Sequence, residues 1–192
     1  MTQNIKRKTS LLLMIAVLLA LASVAQVKYH AKDDLQIVVS GTSTMHDWDM
    51  KTSKGISDAT IILNADGGLS GLTALSFAVP AESLKSDHKG MDKNAYKALK
   101  TGANTTISYT LSTATINPDG AIKCQGKLSI AGTTLDVDLT ATSQVNPDKS
   151  ISVKGSKKIS MKAYNMTPPS FMLGTVKTGN DVTVQFNLTL RK

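Results

Sequence analysis

The chain is poor in cysteine, arginine and aromatic rings. Its 192 residues include one Cys, one Trp, three Phe and four Tyr. A lone Cys124 excludes an internal disulfide framework and any zinc or iron–sulfur cage built on cysteines. After residue 25 the only arginine is Arg191. Nucleic-acid binding draws on arginine clusters and stacking rings, so that class is set aside. Long apolar runs are missing too, apart from Leu11 to Leu21. That run is short of the ~20 residues a spanning helix needs. At 41% hydrophobic and 19% charged residues, the chain is nonetheless of folded type, with a length that suits one domain.

The apolar run has a recognisable frame. Lys6, Arg7 and Lys8 precede it, and Ala22-Ser23-Val24-Ala25 follows, with small residues at Ser23 and Ala25. This predicts a secretory signal peptide over residues 1–25, cleaved after Ala25, and a domain over residues 26–192. No Cys follows the cleavage point, which argues against a lipid anchor. The expected location is outside the cytoplasm, most simply a bacterial periplasm. There Cys124 is either buried and inert or an intermolecular risk.

Period-two alternation dominates the rest. Ile122, Cys124, Gly126, Leu128 and Ile130 share one face, opposite Lys123, Gln125, Lys127 and Ser129. Leu135, Val137, Leu139 and Ala141 repeat the pattern, as do Ile151, Val153, Gly155, Ile159 and Met161. Val182, Val184, Phe186, Leu188 and Leu190 form a further row, and Ile107, Tyr109 and Leu111 an earlier one. Lys157 is the single violation, read as a bend. Such alternation marks half-buried antiparallel strands. Asn117-Pro118-Asp119-Gly120, Ala131-Gly132-Thr133 and Asn146-Pro147-Asp148-Lys149 supply the turns, making a meander of hairpins. Earlier strands are expected at Leu35 to Val39, Met45 to Lys51, Ala59 to Leu63 and Leu72 to Val79. One short helix is predicted, capped by Asp92, with Met91, Ala95 and Leu99 on one face and Gly102 as its stop. It would cover a barrel end or edge.

Eight or nine antiparallel strands must deal with their edges, and closure into a barrel removes them. A two-sheet sandwich is the competing architecture, but its inner faces must be bulky enough to fill the space between the sheets. Here the inward row includes Cys124, Gly126, Ala141, Gly155 and Ala163. The fold class expected is all-β: an antiparallel eight-stranded barrel with one or two short helices and an apolar cavity. A tunnel with almost no hydrogen-bonding groups suits a hydrocarbon ligand, with polar specificity supplied at its mouth.

Four segments in order carry a family resemblance: GTSTMHDWDM (Gly41 to Met50), SLKSDHKGMDKNAYKAL (Ser83 to Leu99), GKLSIAGTT (Gly126 to Thr134) and MKAYNMTPPSFMLGTVKTGNDVTVQF (Met161 to Phe186). With them the chain resembles the YceI family of lipocalin-like, polyisoprenoid-binding periplasmic proteins, in a branch with a His-Asp-Trp signature. The match runs from about Leu35 to Leu190. The resemblance implies a lipocalin-like barrel whose pore takes a long isoprenoid chain, with no catalytic machinery.

Other groupings have plainer readings. His46, Asp47 and Asp49 flank Trp48, but adjacent strand donors point to opposite faces, and His30 and His88 fall in expected loops. No metal site is predicted. Met45, Met50, Met161, Met166 and Met172 lack a tight copper-binding run and suit a greasy lining instead. No G-x-S-x-G elbow or histidine–acid frame suggests an enzyme, and no cofactor is expected. Tyr164, Pro168, Pro169, Phe171, Met172 and Leu173 form an apolar connection, either a loop folded over the barrel end or a rim touching ligand. Lys85, Lys89, Lys93, Lys97 and Lys100 are a solvated helix face or a surface for transient contact with an anionic membrane or phosphate headgroup.

The expected function is to bind or carry an amphiphilic lipid, of isoprenoid quinone or polyprenyl kind or another long-chain lipid. The expected contacts are Tyr109, Leu111, Leu128, Ile130, Val137, Leu139, Val153, Met161, Phe171, Met172, Val184 and Phe186. The alternative is a structural or interaction module of the cell envelope with a filled core.

Overall fold

The structure is a computed structural model describing residues 26–171 and 174–192. The expected signal peptide, Met172 and Leu173 therefore lie outside the described residues. The strands are β1 (Gln26–Lys32), β2 (Leu35–Ser43), β3 (Trp48–Thr52), β4 (Ile56–Leu63), β5 (Leu69–Pro80), β6 (Thr106–Ile116), β7 (Ala121–Ile130), β8 (Thr133–Val145), β9 (Ile151–Ser160), β10 (Ser170–Phe171) and β11 (Val176–Leu190). One helix, α1 (Lys89–Leu99), lies between β5 and β6. Short 3-10 turns occupy Ala81–Ser83 and Lys162–Tyr164.

All strand pairs are antiparallel, in the order β1-β4-β5-β6-β7-β8-β9-β11-β2-β3, with β10 on β11. β1 and β2 behave as one bent strand. β1 pairs along β4, and β2 pairs along β11. Asp33 makes the bend in the left-handed region (φ 56°), and its carboxylate accepts the Gly55 N–H at 3.1 Å. His30 and Arg191 then exchange backbone hydrogen bonds of 2.7 and 2.8 Å. The bent strand thus joins both ends of the β4-to-β11 series, giving an eight-stranded ring. A single curled sheet replaces the sandwich alternative.

The turns follow their residues. Gly120 takes positive φ in one Asn-Pro-Asp turn, and Lys149 takes it at the same place in the other. β1 was not expected, and His30 lies in it rather than in a loop, with Nδ1 2.8 Å from the Asp58 carboxylate. His46 and Asp47 precede β3 instead of lying within it. Ala163 is exposed on a 3-10 turn and is not part of the inward row. The helix caps also differ from expectation. His88 is the N-cap, while Asp92 sits one turn in and accepts from both Ser86 N–H and Ser86 Oγ at 2.7 Å. Lys100, not Gly102, ends α1 in the left-handed region (φ 55°).

Two apolar clusters hold the barrel. Tyr29, Ala31, Leu35, Ile37, Ile61, Ile151, Leu188 and Leu190 pack near the β1–β2 bend and the end of β11. Ile130, Ile159, Met161, Tyr164, Met166 and Val182 pack at the opposite end, beside α1. Between them the middle is open.

Candidate binding cavity

The inward rows of the ring enclose a cavity of about 480 Å³. β6 supplies Ile107 and Tyr109, and β7 supplies Ile122, Cys124, Leu128 and Ile130. Leu139 and Ala141 come from β8, Val153 and Ile159 from β9, and Val182, Val184 and Phe186 from β11. α1 covers one end by turning Met91, Ala95, Ala98 and Leu99 inward. The four-residue steps among Met91, Ala95 and Leu99 put these side chains on one helix face. Met45, 67% exposed, marks the mouth beside α1, with His46 and His88 near it.

Glycines do not create the hollow in the way their smallness suggests. Three aromatic rings lie on inward glycines: Trp48 on Gly41, Tyr109 on Gly126 and Phe186 on Gly155. A Cβ added at any of the three would collide with the ring. The glycines therefore let rings lie flat on the wall, and the open space is what remains inside them.

Of the twelve expected contacts, Tyr109, Leu128, Ile130, Leu139, Val153, Met161, Phe171, Val184 and Phe186 line this cavity. Leu111 and Val137 are not among its lining residues. Both are register partners of Gly126, and the Tyr109 ring lies over that row. Met172 lies outside the described residues. The apolar connection brings Met166, Pro169 and Phe171 to the cavity, while Tyr164 is buried behind it. Sequence reasoning missed the β2–β5 wall, including Ile37, Val39, Leu72, Leu75 and Phe77. The alternation of Leu75, Phe77 and Val79 was the available signal. It also omitted the inward face of α1, although the spacing of that face had been noted.

Lys157 is not at a bend. β9 stays paired with β11 without interruption from Ile151 to Ser160, and Lys157 keeps its inward position on the cavity wall. Cys124 is buried, and burial pushes its thiol above the ordinary range. Among the described residues, no three His, Cys, Asp or Glu side chains converge into a metal-holding group. No helix among them is long and apolar enough to cross a membrane.

A YceI-like domain model matches residues 37–190. The chain belongs to the YceI-like family. Solved structures share the fold at low identity. BcnA of Burkholderia cenocepacia is 13% identical with a TM-score of 0.65, over 81% of this chain and 95% of that one. A polyisoprenoid-binding domain from Saccharophagus degradans, implicated in plant cell wall breakdown, is 10% identical with a TM-score of 0.63, over 87% and 99%. The YCEI protein of Campylobacter jejuni is 16% identical with a TM-score of 0.55, over 71% and 81%. No curated protein matched in sequence. The YceI-like assignment agrees with the all-β antiparallel barrel.

Proposed function

We propose that this YceI-like protein binds the hydrocarbon chain of a polyisoprenoid lipid in its barrel cavity and carries it through the periplasm. The observation behind this is a cavity of about 480 Å³ with almost entirely apolar walls, within the usual ligand-site range of about 300–1,000 Å³. Each buried CH₂ contributes ~0.8 kcal/mol, so a five-carbon isoprene unit contributes roughly 3–4 kcal/mol before the losses of ordering. Tyr109, Leu128, Ile130, Leu139, Val153, Met161, Phe171, Val184 and Phe186 make the contacts, and no residue is assigned a catalytic role. A polyisoprenoid-binding relative with the same fold supports the ligand class.

Cys124 offers a direct test because it is the only cysteine and lines the cavity. Solvent extraction of freshly purified protein should release a prenyl lipid. After delipidation, alkylation of Cys124 by N-ethylmaleimide at mildly alkaline pH should slow at least fivefold with saturating geranylgeraniol. An extract without lipid, together with unchanged alkylation, sinks the proposal.

Exchange with a membrane is assigned to the outer face of α1. Lys89, Lys93 and Lys97 recur every four residues, opposite the face turned to the cavity, with Lys85 and Lys100 beside them. All five are exposed, and among the described residues none is in an ion pair with a carboxylate. Each lysine near an anionic surface contributes about 1 kcal/mol. Co-sedimentation with phosphatidylglycerol vesicles should fall at least tenfold in the Lys89→Glu, Lys93→Glu, Lys97→Glu variant, and in 0.5 M salt. Equal sedimentation with neutral vesicles would assign the contact to something other than charge.

A further inference from the structure

Two of the polar groups on the cavity wall, Tyr109 and Lys157, carry donors that an apolar ligand would not require. Tyr109 is 4% exposed and lines the cavity, and its hydroxyl has no hydrogen-bond partner among the described residues. A buried hydroxyl with no partner is destabilising, so its retention needs a reason. The buried Tyr164 hydroxyl is also without a partner among the described residues, but Tyr164 is not a lining residue of the cavity. The Ser57 hydroxyl, which is on the cavity wall, donates to the Ser76 carbonyl at 3.1 Å. The Tyr109 ring is fixed against Gly126, so its hydroxyl cannot turn away to find a partner without leaving that seat.

Lys157 is the second group. The β8–β9 ladder runs only from Val145↔Ile151 to Thr140↔Ser156. Lys157 is the next residue on β9, inward-facing, where the two strands part. Its ammonium donates to the backbone carbonyl of Asp138 at 2.7 Å. Asp138 is an exposed residue, so water can serve that carbonyl just as well. A lysine ammonium has three N–H donors, and among the described residues only this one is used.

Register places the two groups in one belt of the wall. The Tyr109 hydroxyl lies at Gly126, whose partner on β8 is Val137, and Lys157 is bonded at the adjacent Asp138. Tyr109 is the fourth residue of β6 and Lys157 the fourth from the end of β9, both counted from the end covered by α1. The belt therefore lies roughly 10 Å inside the strand ends, at about 3.3 Å per residue.

We propose that Tyr109 and Lys157 form a two-donor subsite just inside the barrel mouth that binds an acceptor oxygen on the lipid's head. The prenyl tail then points toward the cluster at the β1–β2 bend, and α1 covers the head. A phenol O–H and an ammonium select a carbonyl or phosphate oxygen, and they gain nothing from a plain hydrocarbon. Burial foremost, then the charges of Cys124 and Asp138, push the phenol up to about 12, which keeps it a donor at neutral pH. Polar recognition is thus moved from the rim to the interior. This inference rests on the cavity being the lipid site.

The test compares three probes with one chain: geranylgeranylacetone, geranylgeranyl phosphate and the matching hydrocarbon. Wild-type protein should bind the ketone, the phosphate or both at least tenfold tighter than the hydrocarbon. Preference for the ketone identifies a carbonyl head, and preference for the phosphate an anionic one. In Tyr109→Phe the ratio of preferred probe to hydrocarbon should fall at least fivefold. In Lys157→Met the phosphate ratio should fall more than the ketone ratio. The ligand-free Tyr109→Phe protein should melt no lower than wild type, since it loses only an unpaired hydroxyl; a purely structural hydroxyl would lower it. Equal affinities for all three probes, or ratios unchanged in both variants, overturn the subsite while leaving lipid binding standing. Failure of every probe to bind wild type would overturn the lipid reading and the subsite with it.

Discussion

Leu139→Trp should reduce uptake of a fluorescent polyprenyl probe at least a hundredfold while β-sheet circular dichroism stays unchanged. Leu139 points from the middle of β8 into the cavity, beside Cys124 across the ladder. It belongs to neither buried cluster, so a larger side chain does not have to displace packed neighbours. Overpacking costs about 1–3 kcal/mol where a core is already full. Here the indole enters open space and takes the volume of the prenyl chain. Leu128→Trp, from β7, should act in the same direction with some loss of stability, because Leu128 packs partly against the cluster beside α1. Leu111→Trp is the control, since Leu111 is not a lining residue of the cavity. Undiminished uptake by both filled variants would move the ligand out of the interior.

The sequence carries much of this geometry because alternation is a strong signal where one strand face is wet. The rows through Leu128, Leu139, Val153 and Val184 belong to one interior by alternation alone. Closure could not be read in the same way. It depends on Asp33 adopting a left-handed conformation and on β1, where Val27, Tyr29 and Ala31 alternate over only seven residues directly after the expected cleavage point. Residue size was also a poor guide to empty space. Gly126 and Gly155 look like gaps in a list, yet each is the seat of an aromatic ring from a neighbouring strand. That cross-strand relation separates Leu111 and Val137 from the nine expected contacts that line the cavity. Lys157 broke a pattern, and a broken pattern reads equally as a bend or as a polar group needed inside. Only uninterrupted pairing with β11 decides between them.

The seat under Phe186 leads to the largest expected effect on stability. Gly155 has no positive φ, so a side chain there meets no backbone strain, and the cost is steric. A Cβ at this position would meet Cζ and Cε2 of Phe186 and, at 2.7 Å, the carbonyl of Thr140. The carbonyl belongs to the ladder at the point where β8 and β9 part, so it cannot move without loosening that ladder further. Gly155→Val should therefore destabilise by about 3 kcal/mol or more, read as a fall in the urea midpoint, despite the better strand propensity of valine. Phe186→Leu in the same chain removes the ring but not the carbonyl. Rescue should be partial, with a coupling of about 1 kcal/mol between the two sites. Any ring that survives displacement in Gly155→Val has to lean into the cavity, so probe uptake should fall in whatever fraction remains folded. If Gly155→Val instead stabilises the barrel, the flat-lying ring is not what sets the cavity wall, and the space available to a prenyl chain must be bounded by the aliphatic rows alone.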